Sequence, residues 1–204
     1  MEAVNRPVDF AVAALTLPGQ AESGDLFVVK FFAHGALIAV IDGLGHGPDA
    51  ADAAKKAVAT LELHAQEPVE DLIRRCHQAL LRTRGVGMSL ASINSLNNSL
   101  TQVGVGNVEV VLFRDDSETS RSREWLLVRG GVVGYELPTV KPSVTELKPG
   151  DLLVFATDGI HSGFGEGLPL DKTPQQTADL IMADFARGTD DALVLAARYI
   201  GESR

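Results

Sequence analysis

Four acidic positions stand where a buried strand is predicted to meet a loop, and carboxylates placed in this way can bind cations. Asp42 ends the apolar run ALIAVID, and Asp158 follows LLVFAT, each directly before a glycine. Asp25 precedes LFVVKFF, and the pair Asp190 and Asp191 precedes ALVLAA. Aspartate is disfavoured inside strands and common in turns, so each position taken alone also fits turn chemistry. Together they predict a cation site if the strand ends meet at one edge of the fold.

The residue types restrict which cation such a site would take. Converging carboxylates need a compensating charge, because burial and mutual repulsion both oppose their ionisation. Cys76 is the only cysteine, so neither a thiolate metal site nor an intramolecular disulfide can form, and its helical setting favours a packing role. An oxygen-only donor set favours Mg²⁺, Mn²⁺ or Ca²⁺. Gly43 lacks a Cβ, which would let its backbone carbonyl approach a metal closely.

Other catalytic motifs have less support. The run GLGHG lies between a predicted strand and a helix, but it lacks the G-x-G-x-x-G spacing, and no G-K-[ST] occurs. No G-x-S-x-G nucleophile motif is present either. His46 and His161 each lie within four residues of a candidate aspartate. Either imidazole could transfer protons or simply hydrogen-bond its own loop, and the sequence leaves both roles open.

The elements that must position these residues follow a strand-rich order. Helices are predicted at 48–66, 68–84 and 174–187, from Pro and acidic residues at their starts and apolar residues at a spacing of three or four. Strands are predicted at 8–17, 26–32, 36–42, 88–96, 99–106, 107–114, 124–130, 151–159 and 192–200, with a solvated loop at 114–124. Consecutive strands with few helices predict one α+β layered domain over residues 1–204, rather than a doubly wound sheet.

Composition excludes several classes of partner. The chain has 204 residues and a net charge of −9, without a basic cluster that could follow a phosphate backbone, so no nucleic acid partner is expected. No apolar run reaches the ~18 residues of a membrane-spanning helix. The amino terminus MEAVNRPVDF lacks the pattern of a signal peptide. We therefore expect a cytoplasmic protein without membrane contact, and the sequence sets no oligomeric state.

Five segments, in order across nearly the whole chain, carry a family resemblance: ESGD, VIDGLGHG, VGVGN, LLVFATDGI and TDDALVLA. The sequence resembles the metal-dependent protein serine/threonine phosphatases of the PP2C type, in the bacterial branch typified by the stage II sporulation phosphatase. The resemblance implies a four-layer α-β-β-α sandwich, in which helices flank two central, mostly antiparallel sheets. It also places two divalent ions, Mn²⁺ or Mg²⁺, at one edge of those sheets.

The resemblance further implies a role for each matching residue. Asp42 corresponds to the carboxylate that bridges two metals, and Gly43 to the residue whose carbonyl binds one of them. Asp158 and Asp190 correspond to ligands of the other metal, and Asp25 to a carboxylate that holds a metal through water. Asp42 and Asp158 are accordingly the candidate catalytic residues. Larger relatives also have a phosphate-binding arginine near the amino terminus, where this chain offers only Arg6.

The function implied by the resemblance is hydrolysis of phosphoserine or phosphothreonine in proteins by metal-activated water. The expected partners are phosphorylated protein substrates, with the scaffold proteins of a bacterial stressosome as the specific expectation. Two alternatives stay open at this point. One is a non-catalytic binding module that keeps the fold, and the other is a hydrolase of small phosphoesters.

Overall fold

The computed structural model describes residues 6–114 and 122–201. Within them lie three helices, α1 (Pro48–His64), α2 (Val69–Leu80) and α3 (Pro174–Phe185). The strands are β1 (Val8–Leu15), β2 (Asp25–Phe32), β3 (Gly35–Gly43), β4 (Val86–Asn94), β5 (Ser99–Val105), β6 (Glu109–Arg114), β7 (Ser122–Trp125), β8 (Val128–Arg129), β9 (Ser143–Glu146), β10 (Leu152–Ala156) and β11 (Ala192–Tyr199).

The strands form two sheets. The first sheet has the order β1-β11-β10-β6-β7, and all of its described pairs are antiparallel. The second sheet has the order β2-β3-β4-β5-β8, and β9 also pairs with β5. Its pairs are antiparallel except for the short parallel contact between β5 and β8. The last described strand, β11, therefore lies inside the first sheet, between the earliest strand and β10.

Three apolar layers hold the elements together. Side chains such as Ile38, Phe155 and Leu195 pack between the two sheets. Helices α1 and α2 cover the outer face of the second sheet, where Leu61 and Leu72 are fully buried. Helix α3 covers the outer face of the first sheet in the same way. This arrangement is the predicted four-layer sandwich, and β3 is buried along its whole length because both of its faces are covered.

The structure corrects the predicted strand at 124–130, which is two short strands in different sheets. β7 pairs with β6 in the first sheet, whereas β8 pairs with β5 in the second. The buried Leu126 lies between them as the chain crosses from one sheet to the other. Unbroken apolar patterning cannot distinguish a continuous strand from a chain that changes sheets. The predicted loop at 114–124 is also wrong at both ends, which belong to β6 and β7; residues 115–121 lie outside the described residues.

Two further elements differ from the sequence expectation. Helix α2 ends at Leu80, earlier than predicted, and the hydroxyl of Thr83 donates to the Leu80 carbonyl at 2.8 Å. This hydrogen bond satisfies a carbonyl at the helix end. Strand β9 has no counterpart in the prediction. None of the described helices combines the length and apolar character needed to cross a bilayer.

Candidate metal centre

Two carboxylates of the predicted site belong to paired residues on adjacent strands of the second sheet. In the antiparallel pair of β2 and β3, Asp25 lies directly opposite Asp42, and the two residues are only 5% and 8% exposed. The Gly43 N–H donates to the Gly24 carbonyl at 3.0 Å and extends the pairing beyond them. Like charges in directly opposed positions destabilise a sheet. The register of this hairpin therefore holds two acidic groups together that would otherwise separate.

The first sheet brings Asp158 to the same place. Asp158 follows β10 by two residues, and Asn107 lies between β5 and β6. The side-chain amide nitrogen of Asn107 donates to Oδ2 of Asp42 and to Oδ2 of Asp158, at 2.8 Å in each case. One amide group thus links a carboxylate of the second sheet to a carboxylate of the first.

The acidic pair before β11 divides into two different roles. The buried Asp191 accepts the Leu17 N–H with one carboxylate oxygen and the Gly24 N–H with the other, both at 2.7 Å. The half-buried Asp190 accepts only the N–H of its neighbour Asp191, with Oδ1 at 2.9 Å. Among the described residues, Oδ2 of Asp190 has no hydrogen-bond partner. Asp191 therefore fixes loops around the site, while Asp190 keeps an oxygen available.

The electrostatics of the cluster oppose full ionisation. Burial, followed by the charges of Asp25 and Asp158, raises the pKa of Asp42 well above that of an ordinary carboxyl group. Burial also raises the pKa of Asp25, despite a hydrogen bond of 2.6 Å from the Thr157 hydroxyl. The charged neighbours that raise both pKa values are all carboxylates. Protons or a bound cation must therefore offset the charge of this cluster.

The glycines after Asp42 and Asp158 are required by close packing. A Cβ on Gly43 would lie 2.3 Å from the Ala50 carbonyl oxygen, and one on Gly159 would lie 2.0 Å from the Asp191 carbonyl oxygen. Real Cβ atoms essentially never come so close to another atom. These contacts give Gly43 a packing role besides the metal contact expected from the sequence.

The donor set fits hard divalent cations, because it consists of carboxylate oxygens with the backbone carbonyl of Gly43 nearby. Across 6–114 and 122–201, however, no three His, Cys, Asp or Glu side chains are grouped closely enough to hold an ion as they stand. Instead, the side-chain amide of Asn107 donates hydrogen bonds to the carboxylates of Asp42 and Asp158. The residues therefore fit a metal by chemistry, and a metal that takes both carboxylates would compete with Asn107 for them.

Sequence reasoning missed Asn107, Thr157 and the structural role of Asp191. Each stands next to a segment that was singled out: Asn107 closes VGVGN, Thr157 precedes Asp158, and Asp191 follows Asp190. The sequence showed these residues beside candidate ligands, but their hydrogen-bond partners are distant in sequence and could not be predicted from it. The two histidines considered above, His46 and His161, are both exposed.

Arg6, the arginine considered for phosphate binding, lies away from the site. Its guanidinium stacks over the ring of Phe31, 5.5 Å from the centroid. Phe31 is six residues beyond Asp25 on β2, which is about 20 Å along an extended strand. The structure therefore gives Arg6 no place at the carboxylate cluster.

Two facing sheets flanked by helices form the four-layer α-β-β-α fold that the family resemblance implied. The sequence matches the family described as "Stage II sporulation protein E (SpoIIE)" over residues 33–200. The chain belongs to this family.

Individual relatives agree with this membership. Phosphoserine phosphatase RsbX of Bacillus subtilis (strain 168) is 29% identical over 157 residues, which are 77% of each chain. The crystal structure of RsbX with magnesium has a TM-score of 0.84 at 24% identity, and the match covers 100% of this chain and 98% of that one. A structure from work on the bacterial stressosome has the same TM-score at 27% identity, with 95% and 100% covered.

A more distant structure extends the fold comparison to a complex with two metal ions. It is the catalytic domain of the serine/threonine phosphatase PstP with two manganese ions, with a TM-score of 0.72 and 17% identity. The match covers 95% of this chain and 98% of that domain. At this identity the likeness shows a shared fold.

Proposed function

We propose that this protein is a metal-dependent protein phosphatase that hydrolyses phosphoserine or phosphothreonine in protein substrates. The observation that carries the proposal is that Asp25 lies opposite Asp42 and that Asn107 links Asp42 to Asp158 of the other sheet. Asp190 is within electrostatic reach of Asp25 and Asp42, so carboxylates from four separate segments influence one another at this edge. Within the described part of the chain, the charged neighbours that shift the pKa values of Asp25 and Asp42 are all carboxylates, and a divalent cation would offset their charge. Membership of the SpoIIE family supports the same reading.

Two divalent ions, Mg²⁺ or Mn²⁺, would be held by the residues of this edge. Asp42, Asp158 and Asp190 would supply carboxylate ligands, Gly43 would supply its backbone carbonyl, and Asp25 would act through water, which are the roles that the family resemblance implies. When bound, such ions supply an activated water and neutralise charge on the phosphoryl group. The surrounding chain fixes the ligands: Asp191 anchors the loop that precedes Asp25 through Gly24, and Thr157 orients the Asp25 carboxylate.

The proposed substrates are phosphorylated scaffold proteins of a stressosome, encountered in the cytoplasm. Two relatives support this choice: one is named a phosphoserine phosphatase, and the other was solved in work on the stressosome. A phosphorylated scaffold protein should accordingly be hydrolysed with a kcat/KM about tenfold or more above that of an unrelated phosphoserine protein. Equal rates on both would contradict the choice of substrate while leaving the phosphatase activity intact.

The activity itself is tested by phosphate release from a phosphoserine protein, with Mg²⁺ or Mn²⁺ and after chelation. We expect release that requires the metal and that falls at least about a hundredfold in Asp158→Ala, in line with loss of a metal-site carboxylate. Asp9→Ala is a matched control, because Asp9 is exposed on β1. It pairs with Arg198 near the end of β11, whereas Asp190 and Asp191 precede the start of that strand. No release under either metal would favour a non-catalytic binding module.

Rates on a small aryl phosphate and on a phosphopeptide distinguish a protein phosphatase from the remaining alternative, a hydrolase of small phosphoesters. A protein phosphatase should have a clearly higher kcat/KM on the phosphopeptide. The opposite preference would identify a hydrolase of small phosphoesters.

A further inference from the structure

A cleft of about 290 Å³ opens beside the candidate metal centre. It shares Asn107 and Asp158 with that centre, and its wall continues through the start of β6 and the segment that follows β10. The side chains that matter for its chemistry are Asn107, Glu109, Asp158, Ser162 and Arg187. Of these, only Arg187 carries a positive charge.

Arg187 is fixed relative to Asp158 by backbone hydrogen bonds. Its N–H donates to the carbonyl of Gly159 at 2.8 Å, and the N–H of His161 donates to the carbonyl of Phe185 at 2.8 Å. An antiparallel bridge joins Ile160 and Ala186 between these bonds. The end of α3 is thus attached to the segment that carries Asp158.

The guanidinium of Arg187 is not committed to another role in the described structure. Its side chain is exposed, and among residues 6–114 and 122–201 it makes no hydrogen bond and no ion pair within 4.0 Å. Burial raises the pKa of Glu109, and the charge of Arg187 partly offsets this effect, which places Glu109 within electrostatic reach. By contrast, Arg84 is paired with Asp49 at 2.9 Å.

We propose that Arg187 binds the non-bridging oxygens of the substrate phosphoryl group, an inference that rests on the function proposed above. The cleft also presents the carboxylates of Asp158 and Glu109, which repel a phosphoester dianion. A guanidinium offers planar paired donors that match phosphate oxygens, and charge-assisted bonds of this kind are the strong ones. Arg187 would therefore be a substrate-binding residue supplied by the end of α3.

The direct test is binding of inorganic phosphate to the full chain loaded with Mg²⁺, measured by titration calorimetry. Arg187→Gln should weaken phosphate binding at least about tenfold, as expected for loss of a charge-assisted contact. Arg74→Gln is the matched control, because Arg74 is an exposed arginine of α2 whose loss changes net charge equally. It should change the affinity by less than about twofold, in line with a surface charge outside the cleft.

Kinetics and metal binding provide independent measurements. With a phosphoserine protein as substrate, Arg187→Gln should raise KM and the inhibition constant of phosphate more than it lowers kcat. The affinity for Mn²⁺, followed by the paramagnetic resonance of the free ion, should match that of the unaltered protein. Arg187→Lys keeps the positive charge but lacks the paired donors. Its KM and its inhibition constant for phosphate should lie between those of the unaltered protein and those of Arg187→Gln.

Phosphate binding that is absent, or equally tight with and without Arg187, would overturn the inference even in an active enzyme. An inactive protein that binds phosphate only when Arg187 is present would retain this anion site. That result would instead refute the phosphatase proposal.

Discussion

The negative charge of Asp42 is unfavourable for the stability of the metal-free fold but favourable for binding a cation. It is buried, lies opposite Asp25 in the sheet, and shares the amide of Asn107 with Asp158. A neutral side chain of the same shape would suit the metal-free fold better. The negative charge becomes useful only when a cation is present to offset it.

Asp42→Asn should therefore stabilise the metal-free protein while abolishing its activity. The new amide oxygen can still accept the hydrogen bond from Asn107, while repulsion from Asp25 is lost. Removing one buried, uncompensated acidic group should stabilise the fold by about 1–2 kcal/mol, the size of a typical single-substitution effect, or raise Tm by about 2–8 °C for a chain of this size. The measurement is thermal unfolding in chelator beside phosphate release with Mn²⁺, and Asp9→Asn serves as the exposed control. A lower Tm for the metal-free variant would contradict the account of the cluster.

Separate replacement of Asp190 and Asp191 should distinguish the proposed metal ligand, Asp190, from the residue that stabilises the loops, Asp191. Asp191→Ala removes the acceptor for two backbone N–H groups, those of Leu17 and Gly24, and should cost about 2–5 kcal/mol of folding free energy. Asp190→Ala loses a single bond from its neighbour and should cost less than about 1 kcal/mol.

Urea unfolding in chelator and titration with Mn²⁺ together test this division. Only Asp190→Ala should combine near-normal stability with weakened metal binding. Normal metal binding in a well-folded Asp190→Ala protein would remove Asp190 from the proposed ligand set.

At the scale of elements, the junction of β3 with α1 depends on close backbone contact. Gly43→Ala would place a methyl group 2.3 Å from the Ala50 carbonyl oxygen in the first turn of α1. Because backbone cannot rotate away, we expect a loss of about 3 kcal/mol, at the upper end for overpacking. Gly130→Ala is the control, since its Cβ would have no atom within 4 Å and Gly130 has no positive φ. Equal urea midpoints for both variants would contradict a packing role for Gly43.

Elements with a local physical signal were predictable from the sequence. Helix α1 begins at Pro48 with Asp49 in its first turn, and β3 is an apolar run that both faces bury. The split between β7 and β8 was not predictable, because the choice of sheet depends on partners that lie far away in sequence. Local patterning therefore predicted most of the helices and strands but not the crossing between the sheets.

The candidate site follows the same division. Aspartates at strand ends were visible because their residue type is unusual in that position. Asn107 was not, since a neutral amide after a glycine is ordinary until Asp42 and Asp158 are brought to it by two different sheets. The sequence did not single out Arg187 for the same reason, because backbone contacts distant in sequence, such as the bridge between Ile160 and Ala186, bring it beside the cleft.

For the whole molecule, the metal-free protein should lose stability as the pH rises from about 5 to 8. In the unfolded chain, Asp25 and Asp42 release their protons near the ordinary pKa of 3.8, whereas in the native state their pKa values are raised. Between these values the native state binds more protons, so the free energy of unfolding falls with rising pH. Urea unfolding at several pH values in chelator measures the effect.

Added Mg²⁺ or Mn²⁺ should reverse this trend, because binding to ionised carboxylates stabilises the native state most at the higher pH. Asp42→Asn should flatten the pH dependence in chelator. An increase in the stability of the metal-free protein between pH 5 and 8 would contradict the raised pKa values.

The order of strands in the first sheet has a consequence for synthesis on the ribosome. β11 is the last described strand to be translated, yet it lies between β1 and β10, and Asp190 and Asp191 directly precede it. Until that segment leaves the exit tunnel, the sheet lacks an interior strand, and the Leu17 and Gly24 amides lack their acceptor. A nascent chain or a fragment cut before residue 190 would therefore possess three of the four carboxylates and no phosphatase activity, which confines catalysis to chains translated beyond β11.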